Sequence, residues 1–173
     1  MKKIKCTIGT LDKAVRELEL YELSLKKKLS ELNERVASYG GFIARARFSQ
    51  AMYAGTNDTE ITVEPYDKGY KIIASGQAVI FVEFGTGTKN PEHPLSSKFG
   101  YHHGTYGKGQ GNSSKYPNGW TYYGDPGNAG QPVPDKEGLY RTQGNPANRC
   151  LYETGKDLRR ELARLAKEVF DND

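Results

Sequence analysis

The stretch FVEFGTGTKN, residues 81–90, places a carboxylate between two aromatic side chains and then changes to glycine and threonine. A glycine-rich turn binds phosphate when its amides open a helix and a lysine reaches the terminal phosphates. The glycine spacing here matches neither GxxxxGK[ST] nor GxGxxG, and Pro91 and Pro94 prevent an immediate helix. We therefore expect no nucleotide or other cofactor at this turn.

The histidines and cysteines of the sequence give only weak indications of metal binding or nucleophilic catalysis. His93, His102 and His103 are not accompanied by a CxxC or HExxH pattern, and adjacent histidines seldom face one ion. We expect no metal and place the histidines at a surface or a subunit contact. Cys6 and Cys150 predict neither a zinc site nor a disulfide framework, and a cysteine just before a helix, as in NRCLYE, is usually a small buried hydrophobe.

Glu83 and Glu92 could form the carboxylate pair of a glycoside hydrolase, with the aromatic side chains of NGWTYYG as a sugar platform. The aspartates of the following loop stand in turn contexts, DPG and PDKEG, where aspartate is common for local reasons. We therefore expect no catalytic residues and no enzyme activity. If Glu83 is buried, a backbone amide or a basic side chain must lie near it, because an unpaired buried carboxylate is costly.

Composition limits the function classes further. The chain has 173 residues, of which 36% are hydrophobic and 27% charged, and its net charge of +4 comes from 25 basic and 21 acidic residues. This charge balance is too even to indicate a nucleic-acid binder, which typically carries a basic stripe. No apolar run approaches the length of a membrane span, and no apolar segment follows MKKIKCTIG. We expect a single soluble domain made in a cytoplasm.

A long amphipathic helix is predicted near the amino terminus, with Thr10 as its N-cap and Gly40 and Gly41 as its stop. An apolar stripe follows alternating steps of four and three residues, interrupted only where Glu22 stands beside Tyr21: Leu11, Val15, Leu18, Leu25, Leu29, Leu32 and Val36. Such a stripe usually faces the sheet of its own domain, and a coiled-coil seam between copies is the alternative.

The following segments predict an α+β fold. Residues 41–55 favour a second helix, and TEITVEP, GYKIIAS and AVIFVEF read as strands of an antiparallel sheet of three to four strands. A C-terminal helix begins near residues 152–155 and carries Leu158, Leu162, Leu165 and Val169 on one face. The long N-terminal helix and the C-terminal helix should pack against this sheet.

Residues 88–144 read as an insertion into a core formed by residues 1–87 and 145–173. Seven of the eight prolines, half of the twelve tyrosines, all three histidines and Trp120 lie between residues 85 and 148. A loop this long inside one domain is usually functional. Trp120, Tyr122 and Tyr123 are the candidates for contacts with a neighbouring subunit, because aromatic side chains supply rigid contact area.

Several motifs in this order resemble a known family. They are GTNDTEITV, ASGQAVIFVEFGTG, NGWTYYG and TQGNPANRCLYETGKDLRRELARLAKEVF. The resemblance is to the neck and minor tail proteins of tailed phages, often called head-tail joining or tail-completion proteins, and it covers nearly the whole chain. Arg149 and Cys150 depart from it, since relatives tend to carry an apolar residue and proline there.

The resemblance implies a small structural subunit that forms a ring in the virion neck, between the portal-side connector and the tail tube. Its partners would be copies of itself and the neighbouring connector and tail proteins, and DNA would pass through the ring without being read. There are two main alternatives: a tail terminator-type ring that caps the tail tube, and a nucleic-acid-binding module. A secreted glycan binder is a further alternative, which would need an export signal.

By position, the resemblance also assigns two turns. The strand end and turn that lead into the insertion would be Glu83, Phe84, Gly85, Thr86 and Gly87. The turn that leads back would be Gly144, Asn145, Pro146 and Ala147.

Overall fold

The computed structural model describes residues 8–86, 93–100, 119–127 and 130–171. These residues form four helices and two small antiparallel sheets, which confirms the predicted α+β class with its long N-terminal and its C-terminal helix. The elements are α1 (Ile8–Ser49), β1 (Glu60–Tyr66), β2 (Gly69–Ser75), α2 (Val79–Phe84), α3 (Ser96–Phe99), β3 (Trp120–Tyr123), β4 (Gln131–Pro132), β5 (Leu139–Thr142) and α4 (Cys150–Phe170).

Helix α1 is continuous over 42 residues, so the predicted stop at Gly40 and Gly41 and the separate second helix are wrong. The two glycines serve close packing instead. A Cβ added to Gly40 would lie 2.5 Å from Ile72 Cδ1, and one added to Gly41 would lie 2.5 Å from Val63 Cγ2. The hairpin therefore approaches the helix at a point where a larger residue would not fit.

Strands β1 and β2 form the predicted hairpin, with Tyr66 paired to Gly69 across the turn and Glu60 paired to Ser75 at the open end. Ile61 is buried against α1, and its carbonyl accepts hydrogen bonds from the guanidinium of Arg45. The hairpin is thus fixed to α1 by both apolar packing and a polar contact.

The predicted third strand is wrong, because Val79–Phe84 is a short helix, and the first sheet has two strands. Asp58 explains the difference: its carboxylate accepts hydrogen bonds from the amides of Gln77 and Ala78, both at 2.8 Å, and so caps the start of α2. This tertiary contact outweighs the strand preference of the β-branched and aromatic residues in the segment.

A second sheet, of order β3-β5-β4, lies inside the insertion, which the sequence pattern predicted to be irregular. Trp120 pairs with Thr142 and Tyr123 with Leu139, so the sheet ends close to where the insertion returns to the core.

Helix α4 begins at Cys150, slightly earlier than predicted, and runs antiparallel along α1. Arg47 and Asp157 form an ion pair at 2.6 Å near one end of this contact, and Lys28 Nζ donates to the carbonyl of Phe170 at 3.3 Å near the other. The buried hydrophobic core collects residues from α1, β1, α2 and α4 and their flanks: Ala44, Phe48, Ala51, Ile61, Ala78, Val82 and Cys150.

The N-terminal half of α1 extends beyond the end of α4. Leu11, Val15 and Leu18 are 48%, 51% and 67% exposed, whereas Leu32 and Val36 are half-buried. The prediction that the whole stripe faces the domain's own sheet is therefore wrong for its first half.

Among the described helices, none is both long and apolar enough for a membrane crossing.

Candidate functional site at the base of the insertion

The two ends of the insertion meet in a polar contact, which we call the clasp and define as Thr86, Asn145 and Asn148. The amide of Thr86 donates to the carbonyl of Asn145 at 2.9 Å, and the Thr86 hydroxyl donates to Asn145 Oδ1 at 2.7 Å. Asn145 is 1% exposed. The chain therefore leaves the core and returns to it at one place.

The clasp also satisfies the C-terminal end of α2, whose last carbonyls have no partners within the helix. Asn145 Nδ2 donates to the carbonyl of Phe81 at 2.8 Å, and the amide of Asn148 donates to that of Val82 at 3.0 Å. The Asn148 side chain also bridges to Met52, accepting from its amide at 2.9 Å and donating to its carbonyl at 3.0 Å. The two asparagines thus connect three separate segments of chain.

Gly85 is required by this geometry. Its φ of 76° lies in the left-handed region, and a Cβ there would lie 2.5 Å from the amide nitrogen of Ala147 and 2.8 Å from the carbonyl carbon of Pro146. Gly144 has a φ of 89°, and its amide donates to Thr142 Oγ1 at 3.0 Å. The described residues of the two turns assigned by resemblance therefore pack directly against each other. Gly87 lies outside the described residues.

Glu83 is buried, at 5% exposure, and it caps helix α4 from α2. Its Oε2 accepts from the amide of Leu151 at 2.8 Å and its Oε1 from the amide of Tyr152 at 3.0 Å. The residue before the helix, Arg149, makes no side-chain cap bond. The predicted backbone-amide partner of a buried Glu83 is therefore confirmed, and a negative charge at a helix N-terminus is also favoured by the helix dipole.

His93 adds a third contact to this carboxylate. The side chain is buried, and its Nε2 lies 3.1 Å from Glu83 Oε1. Because Nδ1 accepts a hydrogen bond from the amide of Leu95 at 3.0 Å, we assign the ring proton to Nε2, which then donates to Glu83. The expectation of a surface position is therefore wrong for His93, because the buried Glu83 carboxylate needs a hydrogen-bond donor and His93 supplies it. His102 and His103 lie outside the described residues.

Two aromatic rings pack against the imidazole of His93. The ring centroids of Phe84 and His93 are 4.3 Å apart, and those of His93 and Tyr152 are 5.3 Å apart. The other acid of the suggested catalytic pair, Glu92, lies outside the described residues.

Cys150 is the first residue of α4 and is 1% exposed. Burial first, and the nearby Glu83 carboxylate second, together raise the pKa of its thiol to about 12. The side chain is thus a protonated thiol at neutral pH and a poor nucleophile, which confirms its predicted role as a small buried residue. The described residues hold no group of three or more side chains suited to a metal ion.

The three aromatic contact candidates have different surroundings. Tyr122 is half-buried, and its single hydroxyl proton is shared between the carbonyls of Ala54 and Pro126, at 3.4 and 3.3 Å. Tyr123 is 75% exposed. Trp120 lies on the same strand, paired with Thr142. Tyr122 therefore anchors the insertion to its own core, and Tyr123 is the exposed member of the group.

Two residues of this site were missed by the sequence reasoning. Asn148 follows the predicted return turn by one residue, and its signal is an asparagine before a helix, where the side-chain amide can donate and accept at once. His93 lies ten residues from Glu83, and no spacing rule connects them. No family model, curated protein or solved structure matches this chain.

Proposed function

We propose that this protein is a structural subunit of a tailed-phage neck, where it forms a ring that joins the portal-side connector to the tail tube and lets DNA pass. The supporting observation is the clasp. It holds the two ends of the insertion in contact, so that the core acts as a fixed base for a contact loop.

The polar groups at this site are used for structure. Both carboxylate oxygens of Glu83 accept hydrogen bonds from α4, His93 donates to the same carboxylate, and the thiol of Cys150 stays protonated. A site whose polar atoms already satisfy one another supports an assembly role over a catalytic one.

A ring subunit needs two different contact surfaces, because each copy meets its neighbours head to tail. Exposed aromatic side chains lie in separate parts of the described chain. Phe99 of α3 is 53% exposed and Tyr123 of β3 is 75% exposed, both within the insertion, and Phe42 of α1 is 68% exposed in the core. We assign the insertion to one face of the ring contact and the core helices to the other.

A shortened insertion tests this proposal. Replacing residues 101–118 with a short Gly-Ser linker leaves His93, α3 and the second sheet in place, so the core should fold while neck assembly fails. Electron microscopy of particles assembled with the variant should show heads and tails that are not joined. Infectious, correctly joined particles would overturn the proposal. Strong, steeply salt-dependent DNA binding by the isolated protein would instead favour a nucleic-acid-binding module.

A further inference from the structure

The exposed half of α1 carries a regular seam, which we define as Leu11, Val15, Leu18, Glu22, Leu25 and Leu29. These positions follow steps of four and three residues without interruption, which is the a/d spacing of a coiled coil. The seam is apolar except at Glu22, which forms an ion pair with Lys26 at 2.6 Å. Strict a/d spacing is a narrower pattern than the wide stripe that packs a helix onto a sheet.

Among the described residues, the elements that pack against α1 end near residue 28. Phe170, at the end of α4, contacts Lys28, and the hairpin turn contacts Asn33 through a hydrogen bond from Asn33 Nδ2 to the carbonyl of Lys68 at 3.0 Å. The seam from Leu11 to Leu29 is about 27 Å long at 1.5 Å per residue. Most of it therefore projects from the domain with its apolar side chains exposed.

The seam leads into an open groove of about 500 Å³ between α1 and the hairpin turn. Leu29, Pro65 and Tyr70 supply apolar lining, and two lysines and one acid also line the groove: Lys26, Lys68 and Asp67. An apolar tip with an acidic neighbour would suit this groove, and the start of α1 has both, in Leu11 and Asp12.

The charges along α1 change sign over the same segment. Residues 11–24 contain four acidic and two basic residues, whereas residues 25–30 contain three lysines and no acid. Two parallel copies would place like charges side by side. Two antiparallel copies, with Leu11 level with Leu29 of the second copy, would place Asp12 of each helix near the lysine run of the other, which is electrostatically favourable.

We propose that, in the free protein, a second copy of this chain packs its α1 antiparallel against the seam. Leu11 of each copy lies beside Leu29 of the second copy at the groove, and Val15 lies opposite Leu25 of the second copy. This register places apolar residues of the a and d positions in the same layers and sets Asp12 near Lys26 of the second copy. Glu22 is the weak position, since it faces Leu18 of the second copy.

The inference goes beyond the proposed function and does not rest on it. An antiparallel pair is two-fold symmetric, whereas the subunits of a closed ring all point the same way along its axis. The pair is therefore a form of the unassembled protein. It covers the seam until a contact in the assembled ring replaces the second copy.

Sedimentation velocity over a range of protein concentrations tests the pairing. Leu18 and Leu20 are both 67% exposed, but Leu18 lies on the seam and Leu20 on the other side of the helix. Leu18→Asp should raise the dimer Kd by about tenfold or more, because it places a carboxylate in the apolar seam. Leu20→Asp should leave the Kd unchanged, and Glu22→Leu should lower it. Both leucines are exposed, so circular dichroism should report unchanged folding for the two aspartate variants.

Three outcomes would overturn the proposal. They are a wild-type protein that stays monomeric up to its solubility limit, an equal loss of pairing in Leu18→Asp and Leu20→Asp, and no tightening in Glu22→Leu. Orientation is tested by mixing Leu11→Cys and Leu29→Cys chains in a Cys6→Ser background under mild oxidation. Disulfides between unlike chains support the antiparallel pair, and disulfides between like chains contradict it.

Discussion

Glu83 in α2 accepts a hydrogen bond from the amide of Leu151 in α4 at 2.8 Å, so a side chain 68 positions before Leu151 in sequence caps this helix. The same carboxylate receives the amide of Tyr152 and the ring of His93. One buried charge therefore connects the end of α2, the start of α4 and the described part of the insertion that begins at His93.

Glu83→Gln should lower the free energy of unfolding by about 1–3 kcal/mol, because the new NH2 group meets a backbone donor where the carboxylate accepted a hydrogen bond. Chemical denaturation monitored by circular dichroism measures the change. Glu64→Gln on the exposed face of the hairpin is the matched control and should have little effect, since Glu64 lies 3.9 Å from Lys71 at the surface. Equal stability of the Glu83→Gln variant and the wild type would contradict the capping role.

Two substitutions at His93 separate its two hydrogen bonds. Glutamine can place a donor near the position of Nε2 and keep the contact with Glu83, whereas asparagine can place an acceptor near Nδ1 and keep the contact with the amide of Leu95. We expect His93→Asn to be the less stable variant in thermal unfolding, because it removes a partner from a buried carboxylate. The reverse order would mean that the backbone contact matters more.

Asp58 should contribute to acid sensitivity. Hydrogen bonds from the amides of Ala78 and Gln77 hold the pKa of its carboxyl below the usual value. Since the folded pKa is lower than the unfolded one, the stabilisation is present above about pH 4 and is lost as pH falls through the folded pKa. Asp58→Asn should be less stable than wild type at pH 7 and should lose less stability below pH 4. Denaturation midpoints measured across this range test it, and parallel curves would argue against the cap.

Gly85 and Gly155 form a matched pair for alanine substitution. Gly85→Ala should cost about 1–3 kcal/mol, because its left-handed φ and the approach of Ala147 leave no room for a Cβ. Gly155 lies in the interior of α4 with no atom within 4 Å of an added Cβ, so Gly155→Ala should stabilise the protein by up to about 1 kcal/mol. Denaturant titration of both variants measures the difference, and a shared sign would contradict this account.

Substitution of Tyr123 tests the proposed role of the insertion in contacts with neighbouring subunits. Tyr123→Ser should leave stability unchanged and reduce incorporation into particles, because the side chain is 75% exposed and available to a neighbour. Tyr66→Ser, at a tyrosine that is 63% exposed on the hairpin, is the control and should be incorporated normally. Quantifying each variant in purified particles distinguishes them, and normal incorporation of Tyr123→Ser would count against the insertion as the contact.

The parts of the fold that were predicted correctly depend on local patterns. The hairpin follows from alternation on both sides of the Asp67-Lys68-Gly69 turn, and the two long helices follow from apolar periodicity. The third strand was predicted wrongly because its helical state depends on Asp58, about twenty residues earlier, and residue preferences do not contain that contact.

The candidate site was likewise predicted from the sequence only in part. The partner of Glu83 was predicted as a chemical class, since any buried carboxylate needs donors, but its identity as the amides of Leu151 and Tyr152 needed the folded chain. The continuous helix at Gly40 and Gly41 was missed because glycine more often ends a helix than makes room for a neighbouring element.

The clasp makes the middle of the insertion exchangeable. Thr86 and Asn145 are in direct contact, so any segment placed between them starts and ends at the same point on the core. Doubling the length of such a segment adds only about 0.6 kcal/mol of closure entropy. Segments of quite different length and sequence can therefore be grafted in place of residues 101–118, which keeps His93 and Tyr122, and the protein can serve as a carrier for a binding loop of choice.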